Sequence, residues 1–463
     1  MRSFSLLTAL VLGLSAFVRA KSSQGDDVLV ILDPKLNRDD YSLFFGGLEK
    51  DGYSLTFRAP KDVKPKIIKD DVPSFSHVIL FTPETKGYAS DITPQSLIHL
   101  LSLSTNLLIT SSPKQTLLTA LSSEFSLIPA PPSSPLLSHF PARSDPPTLL
   151  PIPVPDPIDP KSEYADHPLA IPPICSPHTK AVWYEGTAWA LGNNPLLFPI
   201  LRAPKESFVS DASGDEGAEG VVDAAEKGGE GLWAGSSLAV AAGFQTREGA
   251  RVVWVGGVEV FSDRLAAKEI APGVPSGNTR FTRDIAAWAF QESLVLRISH
   301  ISHHLASSPP LVGSNTTNLP TQYTTNDKLT YTAHISIYNP SSSTWTPHVS
   351  LPSPQMAFTM LDPHILTTLS HSPSHAGTYT TTFRAPDRHG VFKFVLDYRR
   401  KGWTWLKSEE KVAVVPPRHD GYPRFLSAAW PYYAGAVSTS VGFVLFVVVW
   451  LSGEGRETRK KAE

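Results

Sequence analysis

Cysteine is almost absent from this sequence: Cys175 is the single one among 463 residues. An internal disulfide is excluded, so any fold exported to an oxidising compartment must rest on apolar burial alone. Charge of one sign is lacking as well. The 41 Lys and Arg nearly balance the 43 Asp and Glu, leaving a formal net charge of -2, and this offers no basic footprint for a nucleic acid. Phosphate-cradling and catalytic signatures are missing too, with no Walker loop, Gly-x-Gly-x-x-Gly, His-Glu-x-x-His or Gly-x-Ser-x-Gly. Long apolar runs are missing everywhere except at the two ends of the chain.

Those ends are informative. Met1-Arg2 carries one positive charge, Phe4 to Val18 is uncharged and rich in Leu and Ala, and Val18-Arg19-Ala20 places short residues at a cleavage position. This is the pattern of a secretory signal peptide over residues 1–20, too short to span a bilayer. At the other end no charge occurs between Arg424 and Glu454, and Ala434 to Leu451 is continuously apolar or small. Trp430, Tyr432, Tyr433 and Trp450 sit at its edges, where aromatic rings favour the headgroup region. The expectation is a transmembrane helix over 430–451 followed by a cytosolic tail, 452–463. Lys460 and Lys461 stand at −4 and −3 from the carboxyl end, the arrangement of the dilysine retrieval signal of endoplasmic-reticulum type I proteins. The signal peptide sends the bulk of the chain into the lumen, and a cytosolic dilysine agrees. Asn315-Thr316-Thr317 is a candidate N-glycosylation sequon, whereas Pro340 spoils Asn339-Pro340-Ser341.

Between the ends, residues 21–128 alternate short β-branched runs with helical patterns. Val28 to Leu32, Ser54 to Arg58, His77 to Phe81 and Leu107 to Thr110 read as strands, and Tyr41, Phe44, Phe45 and Leu48 recur at helical spacing. That order predicts an α/β domain with a mainly parallel sheet. Residues 129–175 are a proline-rich linker: from Pro129 to Pro173 roughly one residue in three is proline, which is read as extended chain outside the core. Residues 176–310 are expected to pack on the first unit, with a strand at Arg251 to Gly257 and a helix from Asp284 to Arg297 that turns Ile285, Trp288, Ala289 and Leu296 inward. A Gly-, Ala-, Glu- and Asp-rich run between Ser207 and Gly231 reads as a surface insert. From 318 to 417 short alternating strands with frequent turn signals predict a β-sandwich of immunoglobulin-like type.

Candidate chemistry is sparse. Asp26-Asp27, Asp39-Asp40 and Asp70-Asp71 are adjacent pairs without the Asp-x-Asp spacing that holds a metal against a diphosphate, and they read as solvated element ends. His300, His303 and His304 would share a face on a helix, but a zinc site asks for a further ligand or a supported water. Asp33, with Pro34 and Lys35, follows the first strand, where open α/β sheets bind ligands, but capping the next helix is the favoured reading of it. The expectation is no catalytic residue, no cofactor and no metal. In the apolar span, Gly435, Ser438, Ser440 and Gly442 are small residues that permit close helix packing.

Beside these readings, an ordered set of segments resembles one family. Val30-Ile31-Leu32-Asp33 with Tyr41-Ser42-Leu43-Phe44-Phe45 is similar to the start of the 48-kDa-type subunits of oligosaccharyltransferase, whose fungal form is the wheat-germ-agglutinin-binding-protein type. Asn194 to Ala203, Gly243 to Arg247, Ala250 to Val253, Phe261-Ser262-Asp263 and Trp288 to Glu292 with His303-His304 continue the resemblance. Leu361-Asp362-Pro363, Gly390 to Phe394, Asp397-Tyr398, Pro417 to Asp420, Tyr422 to Phe425 and Pro431-Tyr432-Tyr433 complete it. The resemblance implies a non-catalytic subunit of the complex that moves a preassembled glycan from dolichyl diphosphate to Asn-x-Ser/Thr. It also implies a separate multi-spanning catalytic subunit, ribophorin-II-like and small defender-against-cell-death-like partners, and contact with the lipid-linked oligosaccharide. A luminal lectin or cargo receptor cycling to the Golgi is the rival reading, since a dilysine end suits it equally.

Overall fold

The computed structural model describes residues 21–114, 116–141, 143–155, 174–177, 179–210, 233–308, 319–418 and 429–460, with the side chains of 454–460 set aside. The expected signal peptide, the acidic insert, Asn315 and Lys461 lie outside the described residues.

Five strands, Ser54–Arg58, Asp27–Leu32, His77–Phe81, Asn106–Thr110 and Arg251–Val255, lie side by side in that spatial order, all parallel. Leu238–Gln245 then joins antiparallel to Arg251–Val255 and carries Trp189–Leu191 and Leu197–Arg202 beyond it. Period-2 alternation sends Val28 and Val30 to one face and Leu29 and Ile31 to the other, and both faces are covered. Helices Ser42–Lys50 and Asn278–Ala289 seal the first face with Phe44, Phe45, Phe281, Ile285 and Trp288; Pro94–Ser102 and Leu117–Glu124 seal the second with Leu97, Leu100, Leu118 and Leu121. The expected α/β domain is therefore present, and the second stretch completes its sheet.

The C-terminal half carries two five-stranded sheets whose inward side chains form one core. One is built around Lys328–Asn339, the other around Gly390–Tyr398 and Leu406–Val415. They establish a sandwich; immunoglobulin-type connectivity is a finer feature that this pairing does not assign. Trp430–Lys460 forms one long helix, and its Trp430–Gly453 portion is long and apolar enough to cross a membrane, with none of its most apolar window buried against the rest of the chain.

Four expectations need correction, the fourth being helix capping by Asp33, described with the site. The Asp284 to Arg297 helix instead runs Asn278–Ala289, because Gln291 and Leu294 take left-handed backbone conformations, φ 59° and 57°, and Leu296 opens a strand. The proline-rich stretch is not outside the core: Leu136, Leu149, Leu150, Ile152 and Val154 are buried. Strand Leu150–Pro153 pairs with Ala181–Tyr184 on one side only, and its prolines alternate with the residues whose N–H groups serve the ladder. The third concerns the histidines and is described with the site.

One buried cation joins the two halves. Arg251 is fully buried, and its guanidinium donates to the carbonyls of Trp288 (2.9 Å), Ser293 (2.7 Å) and Leu294 (3.0 Å) and to the Thr404 hydroxyl (3.3 Å) while lying over the Trp288 ring. Burial pushes its pKa down to about 9, which leaves it charged at neutral pH. Trp288 Nε1 donates to the Gly402 carbonyl at 2.8 Å across the same seam. The Arg251 backbone N–H and Gln291 Nε2 both donate to Asn106 Oδ1. Asn106 therefore turns its Nδ2 to His77 Nδ1 (3.1 Å), which leaves His77 Nε2–H to donate to the Gly25 carbonyl (3.1 Å).

Truncating Arg251 to Ala should remove its hydrogen bonds from the seam and cost about 3 kcal/mol. Thermal melting of the full chain, with limited proteolysis between the two halves, measures this; unchanged melting refutes it. Burial also holds the His77 pKa at about 3, against about 6.5 in an open chain. Below pH 6.5 the unfolded chain takes up a proton that the folded one refuses, so stability falls as pH drops from about 6.5 toward 3. His77→Gln should remove one proton from that slope, read from melting temperature against pH.

Candidate functional site

The carboxyl ends of four parallel strands open into one cleft of about 640 Å³, the place where open α/β sheets bind ligands. Asp33 follows the first strand, Pro83 and Glu84 the third in sequence, Ser111 to Lys114 the next, and Gly256 to Glu259 the last; Glu185, Gly186 and the proline-rich residues Ser133, Pro135 and Thr148 close the side. The strand ends are tied together by Asp33 N–H to Phe81 O and Ser111 N–H to Val255 O.

Asp33 is buried. Its Oδ1 accepts from the Lys35 backbone N–H at 3.0 Å and its Oδ2 from the Thr85 hydroxyl at 2.6 Å. The following short helix is capped by Asn37, not Asp33, so Asp33 fixes a turn on the cleft wall and the helix-capping expectation is corrected. Glu84 receives Lys114 Nζ at 2.5 Å and Lys35 Nζ at 2.9 Å, and these hydrogen bonds, Lys114 first, hold its carboxyl below the usual range. Arg264 bridges Glu185 (2.7 Å) and Glu259 (3.3 Å). The Ser111 hydroxyl is buried and without a hydrogen-bond partner. The wall itself is made by backbone. A Cβ on Gly257 would overlap the Glu185 carbonyl, and one on Gly256 the Thr187 carbonyl, so two loops cross here at a separation only glycine permits.

Sequence reasoning found Asp33 and Lys35 and missed Glu84, Lys114, Glu185 and Arg264. Their pairings span tens of residues; the only local signal was Gly256-Gly257 directly after a strand.

The histidines do not form a site. They stand on strand Leu296–Leu305, not on a helix, and the two-residue period sends His303 and His304 to opposite faces. His303 enters the sandwich core, stacked on Phe394 at 4.6 Å with its Nδ1 2.7 Å from the Tyr323 hydroxyl, and burial lowers its pKa to about 4. His300 pairs with His334 across the strands. Among the described residues no group of three or more His, Cys, Asp or Glu is placed to hold a metal. Cys175 is buried, and burial raises its thiol to about 12, so it is a poor nucleophile. On the long helix, Gly435 and Gly442 have open space beside them, and the Ser438 and Ser440 hydroxyls donate to the carbonyls of Gly435 and Ala436.

A family model described as OST48, N-terminal domain matches residues 19–292, and one described as OST48 middle domain matches 311–454. The chain is 30% identical over 457 residues to the dolichyl-diphosphooligosaccharide–protein glycosyltransferase 48 kDa subunit of Danio rerio, covering 96% of each chain. It is 27% identical over 462 residues to the subunit of that name from Arabidopsis thaliana, covering 97% of this chain and 98% of that one. The corresponding Caenorhabditis elegans subunit is 27% identical over 452 residues, with 95% and 94% covered.

Gly257→Ala should destabilise the protein by about 2 kcal/mol through that backbone overlap. Gly87→Ala, where nothing lies within 4 Å of the added Cβ, should stay within about 0.5 kcal/mol of the parent. Equal melting temperatures for the two variants would contradict the crossing described.

Proposed function

The chain belongs to the OST48 family, the 48 kDa subunits of dolichyl-diphosphooligosaccharide–protein glycosyltransferase, and on that premise we propose that it is a non-catalytic, structural subunit of the oligosaccharyltransferase complex. The reaction is transfer of a preassembled glycan from dolichyl diphosphate to Asn in Asn-x-Ser/Thr, with the chemistry in a separate multi-spanning subunit. The observation that carries the non-catalytic reading is that every carboxylate of the cleft already holds a partner. Asp33 has Thr85 and Lys35, Glu84 has two lysines, and Glu185 and Glu259 share Arg264. A carboxylate held ionised by two lysines is a weak base, and none of these groups activates Ser111 or Ser112.

The body of the chain sits in the endoplasmic-reticulum lumen, anchored once by the 430–451 helix, with Lys460 and Lys461 exposed to retrieval in the cytosol. Ribophorin-II-like and small defender-against-cell-death-like subunits pack on the helix through the face carrying Gly435, Ser438 and Gly442, where bare backbone allows close approach. The cleft, whose lining mixes Pro83, Pro113, Pro135 and Val258 with Lys35, Glu84 and Lys114, suits contact with the sugar of the lipid-linked donor. Asn315 is offered as a glycosylation site.

Purification of the tagged full chain from mild-detergent membranes should recover a multi-spanning transferase subunit in near-equal amount, and Gly442→Leu should reduce that recovery. Complexes carrying Asp33→Ala or His303→Ala at normal protein levels should keep full transferase activity. Recovery of glycoprotein cargo and coat components alone would establish the cycling-receptor reading instead, and loss of activity at normal levels would move this chain into the catalytic machinery.

A further inference from the structure

A second recess of about 530 Å³ lies at the seam between the α/β body and the sandwich, at the opposite ends of the strands from the cleft. Gln245, Thr246 and Arg247 line it from one half, and Arg400, Lys401 and Trp405 from the other. Arg399 is paired to Asp397 at 2.9 and 2.7 Å. Among the described residues no carboxylate lies within ion-pair distance of Arg247, Arg400 or Lys401. Arg247 and Arg399 both stand against the Trp405 ring, at 5.3 and 4.3 Å from its centre. In a chain of near-zero net charge this is a local excess of cation with an aromatic wall.

At the floor of the recess, Gln245 is only 7% exposed. Both its Nε2 and its Oε1 are buried without a hydrogen-bond partner, and so is the Thr246 hydroxyl. Buried polar atoms are nearly always paired, and an amide with donor and acceptor both empty is the exception that asks for a ligand. A phosphate would satisfy the cations but brings no N–H for Gln245 Oε1. A peptide unit brings both a C=O and an N–H, and acidic side chains on either side of it would reach the cations.

We propose that this recess docks an extended acidic peptide segment of another protein, its backbone amide meeting the Gln245 side chain and its carboxylates meeting Arg247, Arg400 and Lys401. The empty donor and acceptor of the Gln245 side chain favour a peptide amide over a lipid phosphate. Because each half supplies one wall, the bound segment also clamps the two halves together, so occupancy raises the stability of the docked arrangement.

The test uses the full chain in detergent and a fluorescent, glutamate-rich peptide blocked at both termini. A glutamine-rich peptide of the same length, inorganic diphosphate and a short-chain phosphatidylserine serve as competitors. The glutamate-rich peptide should bind and raise the melting temperature, and none of the competitors should displace it efficiently. Arg400→Ala with Lys401→Ala should weaken binding about tenfold or more. Gln245→Leu should weaken it while leaving the melting temperature of the free chain equal or higher, which separates lost contact from lost fold. Failure of the glutamate-rich peptide to bind, or equal binding by these variants, overturns the proposal. Displacement by diphosphate or phosphatidylserine with the same dependence on Arg400 and Lys401 reassigns the recess to a phosphate.

Discussion

A guanidinium without a carboxylate holds this molecule together. Arg251 sits on a central strand, and burying its charge is unfavourable unless several dipoles converge on it. Here they come from the end of helix Asn278–Ala289, from the turn after it and from the sandwich hairpin. The four acceptors lie on three pieces of chain, so the cation is fully solvated only when all three are in register. The requirement propagates through Asn106 to His77 and on to Gly25, just before the first strand. The relative placement of the two halves is thereby coupled to the interior of the sheet.

That coupling explains what could and could not be read from the sequence. Strands such as Val28 to Leu32 and His77 to Phe81 are legible because a short β-branched run buried on both faces has few alternatives. The apolar helix is legible for a similar reason. The helix after Asn278 was misplaced because its end is set by left-handed backbone at Gln291 and Leu294, which residue types there do not announce. The histidines were misread because a helix and a strand both tolerate Leu296 to Leu305, and only pairing with Lys328–Asn339 decides. Proline content hid Leu136, Leu150 and Ile152 from the core, since edge pairing on one side relaxes the rule that proline breaks strands. In the cleft, Asp33 was visible by its place after a strand, whereas Glu84, Lys114 and Arg264 acquire meaning only through contacts the fold creates.

The two recesses have opposite electrostatic characters. In the cleft at the strand carboxyl ends, Glu84, Glu185 and Glu259 are matched by bases and Asp33 by a hydroxyl and a backbone N–H, and the wall is backbone brought close by glycine. At the seam, cations outnumber acids and a buried amide stands unmatched. A scaffold subunit of the kind proposed needs a rigid body more than a reactive centre, and internal charge matching on the sheet side supplies rigidity. The unmatched Gln245 and Thr246 side chains fall where the two halves meet, and there an external partner can contribute to holding the arrangement.

Strand Leu406–Val415 has a mechanical role as well. It is bonded to Gly390–Tyr398 through nine register pairs and, near its end, runs parallel to Gln322–Thr324. One end adjoins the Arg251 seam at Thr404, and the other continues toward the apolar helix. Tension applied at Val415 along the strand axis would load those hydrogen bonds in shear, all at once, instead of peeling them one by one. Force entering the strand at Val415 would therefore reach the buried cation beside Thr404 without passing through a yielding linker inside the sandwich.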